Sequence, residues 1–312
     1  MIYTLTPNPA IDLYVGLEEL KPDHVNRTYE EEYQPNGKAI NISIMLKKLG
    51  IDNTALGFIA GFTGCFIKEE LKKLKISTEF VEVDGITRIN IFANADKEYK
   101  IVNRGPEIPL ERQQEMLEKV SMIPENSTLF VSGSLPGGVD DDFYTEIAKI
   151  CQQNDIQLIL DISSREMLNC LPFQPSLIKP NDEELATFFG LTKESMDEAT
   201  IINCSRKLLD QGAQQVLVSR GAAGSIYVSP SYVLKASAPR GKVVNTACSG
   251  DTLLAVFLAR LKQGLPLEEA LQHASAAGSA TAFSKGLCSL TDIEELLLEV
   301  KINQIKEEFI NG

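Results

Sequence analysis

From Leu110 onward the chain alternates helix-like and strand-like segments so regularly that few folds remain open to it. Apolar residues at helical spacing over Leu110–Val120 give way to a strand over Thr128–Val131, then a helix over Phe143–Gln153 and a strand over Gln157–Leu160. Ser176–Ile178, Glu183–Phe189, Ile201–Gln211 and Gln215–Ser219 continue the alternation. A strand that follows a helix in this way is predicted to run parallel to its predecessor, in a sheet covered by helices on both faces. Ser225–Val228 and Tyr232–Ala236 read as a hairpin, and helices over Gly250–Lys262, Leu267–Phe283 and Asp292–Phe309 close the chain.

The first third is less regular. Ile2–Thr6 reads as a strand stopped by Pro7-Asn8-Pro9, Ile42–Leu49 and Phe66–Leu74 as helices, and Thr54–Ile59 and Glu79–Val83 as strands. Asp12–Gly16, Val25–Tyr29, Thr87–Ala93 and Tyr99–Asn103 alternate weakly, as strands exposed on one face do. They do not fit the helix-covered pattern and are expected to form a small β-sheet lid, with strands over about 12–34 and 87–104. No Pro/Gly/Ser-rich linker interrupts the 312 residues, so a single domain over 1–312 is expected.

Charge narrows the partners. A net charge of −13 repels nucleic acid and anionic membrane surfaces, and the apolar runs are too short to span a bilayer. Six scattered cysteines, no C-x-x-C and two histidines argue against a zinc site or a disulfide framework and for reduced thiols. The strand-like alternation at Met1–Leu5, with no basic n-region or cleavage site, leads to the expectation of no signal peptide. A cytoplasmic protein with small-molecule ligands is the expectation.

In a sheet of this kind ligands bind beyond the carboxyl ends of the strands, and the short polar turns fall there. Chief among them is Cys248-Ser249-Gly250-Asp251, at the mouth of an apolar helix. The unpaired N–H groups and dipole of a helix start make an anion site. An aspartate there would repel the anion unless its work is to take a proton from an attacking hydroxyl. Locally, Ser249 or Asp251 serves equally well as an N-cap. Asn36-Gly37-Lys38 with Asn41 one turn on offers a charge and an amide for a sugar, or a simple turn with a solvated lysine. Arg88 on the lid could fork onto a phosphate or blunt a sheet edge. Lys179-Pro180-Asn181 with Glu184 opens another helix, where acids partner the dipole or hold magnesium through water. Ser219-Arg220-Gly221-Ala222-Ala223-Gly224 could cradle a polyphosphate or close a hairpin. Neither the G-x-G-x-x-G dinucleotide fingerprint nor a Walker-type loop is present.

In their order along the chain these turns resemble those of the ribokinase-like, phosphofructokinase-B family of carbohydrate kinases. Thr4–Asp12, Gly37–Asn41, Thr87–Asn90, Ser132–Pro136 and Asp161–Glu166 look like the 1-phosphofructokinase and tagatose-6-phosphate kinase branch. The resemblance implies a ribokinase-like three-layer αβα sandwich and transfer of phosphate from ATP, with Mg²⁺, to a ketohexose monophosphate. It implies Asp251 as general base, with Cys248, Ser249 and Gly250 forming the anion hole. Asp12, Gly37, Lys38, Asn41 and Arg88 would hold the sugar phosphate. Lys179, Asn181, Ser219, Gly221 and Gly224 would serve ATP, and Glu184 the metal through water. Fructose 1-phosphate is the expected acceptor. Tagatose 6-phosphate, or a non-catalytic sensor of sugar phosphate or ATP, stands as the alternative. Pairing of two copies through the lid is the expected assembly, since exposed strand edges invite it. Three positions depart from the family pattern: Cys248 and Asn36 stand where glycine is usual, and Arg220 where an apolar residue is.

Overall fold

The computed structural model describes residues 1–305. In chain order its strands are β1 (Ile2–Thr6), β2 (Ala10–Gly16), β3 (Glu30–Asn36), β4 (Thr54–Ala60), β5 (Ser77–Thr78), β6 (Val81–Val83), β7 (Arg88–Asn94), β8 (Glu98–Ile101), β9 (Thr128–Ser132), β10 (Gln157–Asp161), β11 (Leu177–Ile178), β12 (Val216–Ser219), β13 (Ser225–Val228), β14 (Val233–Ala236) and β15 (Ile302–Gln304). The helices are α1 (Lys38–Lys48), α2 (Gly61–Lys73), α3 (Leu110–Ser121), α4 (Asp142–Gln153), α5 (Asp182–Phe188), α6 (Glu198–Asp210), α7 (Ser249–Lys262), α8 (Leu267–Ala282) and α9 (Leu290–Leu297).

The main sheet runs in the order β15-β14-β13-β12-β11-β10-β9-β1-β4-β5, with β6 also on β4. It is parallel from β12 to β5, and antiparallel only at the β12-β13-β14-β15 edge. Successive side chains of a strand point to opposite faces, and the core divides accordingly. Leu129, Val131, Leu158, Leu160, Val216 and Val218 pack with α3, α4 and α6 on one side. Phe130, Ile159 and Leu217, which lie between them, pack with α1, α7 and α8 on the other. These continuous apolar strands are what a sheet buried on both faces requires, and the αβα sandwich expected from the alternation is found. Cys151, Cys170, Cys204 and Cys288 are buried in it as small core residues.

A second sheet, β3-β2-β7-β8, stands apart as the lid. Its boundaries differ from those expected. Val25–Tyr29 is not a strand; the chain enters the sheet at Glu30 and leaves at Asn36. Glu30-Glu31-Glu32 and Pro35 do not read as a strand, but β3 is an edge, where charge and a proline are tolerated. β2 pairs parallel with β7, Asp12 opposite Asn90, and antiparallel with β3. At the other end the long helix expected over Asp292–Phe309 stops at Leu297. Ser289 and Asp292 form a capping box at its start, and the chain then adds β15 to the antiparallel edge. Residues 306–309 of that expectation lie outside the described residues. Among the described residues no helix is long and apolar enough to cross a membrane.

Candidate active site

The carboxyl ends of β10, β11 and β12 converge with the N-termini of α1, α5 and α7 on a cavity of about 1340 Å³, roofed on one side by the lid. Asp12, Lys38, Asn41, Lys179, Asn181, Glu184, Ser219, Gly221 and Gly224 line it together with Cys248–Asp251. Residues from five separate turns of the sequence therefore share one wall. Of the expected site residues, Gly37 and Arg88 stand just outside it.

Asp251 lies in the first turn of α7, 6% exposed, and accepts a hydrogen bond from Asn41 Nδ2 at 2.8 Å. Burial, and then the charge of Asp161, raise its carboxyl to about 6, against the pull of Lys38, Asn41 and Lys179. A carboxylate tuned to that range is ionised at neutral pH yet basic enough to take a proton. Asp251 makes no capping hydrogen bond, and neither does Ser249. Ser249 Oγ is buried without a partner, so the simple N-cap reading of this turn does not hold. The N-cap position falls to Cys248, in the left-handed region at φ 65°. Gly250 carries no side chain where Lys179 Nζ approaches: a β-carbon there would lie 3.2 Å from it.

Asp12 sits across the cavity on β2. Burial raises it to about 6, opposed by the Asn90 amide at 2.8 Å and the charge of Arg88. Arg88 donates to the carbonyls of Asn8 (2.7 Å) and Asn103 (3.3 Å), and its Nε is buried without a partner. The lid's base thus holds it beside Asp12.

Lys38 opens α1 after Gly37, which has φ 143° and leaves no room for a β-carbon: one would meet Thr6 Cγ2 at 2.6 Å. Lys38 Nζ lies 3.0 Å from Asp161 Oδ1, 3.2 Å from Ser163 Oγ and 3.7 Å from Glu184 Oε1. Burial works against its charge, but Asp161, Glu184 and Asp251 outweigh it and hold the ammonium above its ordinary range. The lysine therefore faces the α5 side of the cavity. Lys179 Nζ, 4% exposed, contacts the same Asp161 oxygen at 3.3 Å. Asp161 is fully buried; burial opposes its charge, and the two lysines nevertheless hold it below the usual carboxylate range. Its second oxygen has no partner. Asp161 organises both cations, yet a lone aspartate at a strand end carries no spacing pattern, and sequence reasoning assigned it no role. Asn90 and Asn36, the latter noted only as a departure from the family pattern, orient Asp12 and were likewise given no role.

At α5 the helix-start reading is what the structure shows. Asn181 Oδ1 accepts from Glu184 N at 2.7 Å, and Glu184 Oε2 accepts from Asn181 N at 2.8 Å, a capping box. That box leaves Glu184 Oε1 directed at Lys38. The glycine-rich turn is first of all a hairpin closure. At Gly224, φ 85°, a β-carbon would stand 1.9 Å from the Ala236 carbonyl, and Ser219 pairs with Ser225. The exposed side of that turn still lines the cavity. Arg220 does not; its charge lies beside Asp197.

A polyphosphate fits this wall: the α7 N-terminus with its unpartnered Ser249 hydroxyl, two lysines and a glycine-rich turn all face one space. For a divalent ion, no cluster of three or more metal-ligating side chains forms among the described residues. Glu184, with one oxygen free of the capping box, suits magnesium held largely by water and phosphate.

The family model described as pfkB family carbohydrate kinase matches residues 6–294. The chain belongs to that family. It is 54% identical over 305 residues to a D-tagatose-1-phosphate kinase of Bacillus licheniformis, covering 98% of this chain and 100% of the relative. To a 1-phosphofructokinase of Bacillus subtilis it is 38% identical over 305 residues, again covering 98% and 100%. The structure of phosphofructokinase-2 from Escherichia coli in complex with substrates and products superposes with a TM-score of 0.89 at 26% identity, over 96% of this chain and 98% of that one. This pfkB member is a sugar-phosphate kinase, a phosphotransferase with an alcohol group as acceptor, on the ribokinase-like fold expected for it.

Proposed function

We propose that the chain transfers phosphate from ATP, with Mg²⁺, to the free primary hydroxyl of a ketohexose monophosphate, converting fructose 1-phosphate to fructose 1,6-bisphosphate. The observation that carries this reading is Asp251: a buried carboxyl near 6 in the first turn of α7, held by Asn41 and lining a cavity that Asp12 of the lid, Lys38 and Lys179 also line.

In this reading Asp251 takes the proton of the acceptor hydroxyl as it attacks. The N–H groups at Ser249–Asp251, the dipole of α7 and Lys179 stabilise the charge that develops on the transferred group. Asp12 and Asn41 hold sugar hydroxyls, and Arg88, with its unpartnered Nε, lies beside Asp12 on the side suited to the existing phosphate. Lys38, between Asp161 and Glu184, spans the two halves of the site. Asn181, Ser219, Gly221 and Gly224 bound the nucleotide end, where Glu184 would hold magnesium through water. Bound magnesium neutralises phosphate charge and orients the group for in-line transfer. The lid excludes water, so that the phosphoryl group reaches the sugar. The chain acts as one domain in the cytoplasm, and the free edges β3 and β8, with Tyr33, Ile101 and Val102 exposed, support a homodimer through the lid.

The relative at 54% identity favours D-tagatose 1-phosphate as a second acceptor, over the tagatose 6-phosphate first considered. The two 1-phosphates differ only in configuration at C4. Coupled ADP release with each of the three sugar phosphates, ATP and Mg²⁺ tests the reading. Turnover with a 1-phosphate that disappears in Asp251→Asn supports it. No sugar-dependent ADP release from the wild type would reject it in favour of a non-catalytic sensor.

A further inference from the structure

The first helix begins one residue after the lid ends. β3 closes on Asn36, Gly37 follows, and α1 opens at Lys38, so Asn36 stands where lid and sandwich meet. Its amide nitrogen donates to Asp12 Oδ2 at 2.5 Å, and its amide oxygen accepts from Asn41 Nδ2 at 3.1 Å. Asn41 Nδ2 also donates to Asp251 Oδ2. Two amides thus tie the lid carboxylate to the carboxylate of α7. Cys248 rests on the same pair, its Sγ 3.1 Å from Asn41 Nδ2 and 3.9 Å from Asn36 Nδ2. Asn36 and Cys248 both face the cavity between Asp12 and Asp251.

The backbone at Cys248 makes this placement conspicuous. In the left-handed region glycine would be free of strain, whereas a side chain there is held against a cost. Strain retained at a site points to a use. Burial, with the charges of Asp251 and Asp12, keeps the thiol protonated well beyond its ordinary range, so it presents neutral sulfur to the cavity. Sulfur is a weak hydrogen-bonding group, and the carboxylates on either side are strong ones. A sugar hydroxyl directed at Asp12 or Asp251 is paired. One turned toward Cys248 gives up water and gains little in return.

We propose that Asn36 and Cys248 form the specificity-determining unit of the sugar site, selecting one hydroxyl configuration by setting a poor partner between two good ones. Cys248 faces the sugar; Asn36 is a positioning residue that fixes the span from Asp12 to Asp251. The proposal rests on the sugar-phosphate reading above and concerns recognition, so it is read at equilibrium.

Fructose 1-phosphate and D-tagatose 1-phosphate serve as the probes. Their Kd values are measured by calorimetry on the wild type and on Cys248→Gly, Cys248→Ser, Asn36→Gly and the Cys248→Gly, Asn36→Gly double variant, with thermal melts to establish folding. The wild type is expected to prefer one epimer by about tenfold. Each glycine variant lowers that ratio by about fivefold, the effect of one neutral hydrogen bond, and the double variant lowers it no further than the stronger single. Cys248→Ser, by offering the misdirected hydroxyl a partner, tightens the disfavoured epimer alone. A wild-type ratio within twofold of unity, or variants that shift both epimers equally, overturns the proposal. Absence of turnover in the wild type rejects the kinase reading separately, because the affinity ratios do not depend on it.

Discussion

Replacing Asp251 by asparagine separates what the residue does for chemistry from what it does to the fold. Lys38 and Lys179 face Asp161, Glu184 and Asp251, two positive charges against three negative. The Asp251 carboxyl is raised from 3.8 to about 6. A group raised in this way favours the folded state while protonated. That contribution is complete below about pH 4 and is lost as pH rises through about 6. Roughly two units at 1.36 kcal/mol each set an upper bound of about 3 kcal/mol on what the ionised carboxylate costs the fold at neutral pH. Asp161 shares the same lysines, so part of that cost belongs to the pair and the share of Asp251 lies below that bound. Asparagine keeps the shape and an acceptor for Asn41 while removing the charge. Urea unfolding at pH 8 is therefore expected to show Asp251→Asn more stable than wild type, by less than about 3 kcal/mol, with the gap closing toward pH 4. Turnover falls by about 10²–10⁴ with the loss of the base. A variant less stable than wild type at pH 8, or a gap equally large at pH 4 and pH 8, would refute the reasoning.

Three other perturbations probe neighbouring contacts. Asn41→Ala removes a donor that lowers the Asp251 pKa; the acid limb of the kcat/KM profile should move to higher pH, and an unmoved limb would show that Asn41 does not tune the base. Lys179→Met leaves fully buried Asp161 with Lys38 alone, and chemical denaturation should report a loss of about 3–5 kcal/mol. Gly224→Ala drives a β-carbon onto the Ala236 carbonyl; a loss of more than about 2 kcal/mol is expected, and a neutral result would mean that the hairpin can open there at little cost.

The sandwich was legible because strands buried on both faces and amphipathic helices leave strong, opposite periodicities. Leu158, Ile159 and Leu160 are apolar in succession, which only a doubly covered strand needs. The lid was harder. β3 is an exposed edge, so Glu30-Glu31-Glu32 and Pro35 break every rule for a buried strand, and the weak alternation of Val25–Tyr29 drew the assignment a few residues early. β15 has three residues and owes its place to pairing with β14, a contact made across the fold. In the site, Cys248–Asp251 was visible because a turn runs straight into an apolar helix. Asp161 was not, since its importance lies in two lysines that reach it from positions 38 and 179. Nor could the left-handed backbone at Cys248 be read from a residue type that rarely adopts it.

One glycine is all the chain that separates the lid from the helix bearing Lys38 and Asn41. A connection that short leaves two backbone dihedrals, those of Gly37, to absorb a swing. Any tilt of β3 would be taken up at Gly37 or passed to the first turn of α1, where it would re-aim the ammonium and amide of that turn. To the extent that Gly37 passes such a tilt on, access to the cavity and alignment of its reactive groups would share one mechanical coordinate.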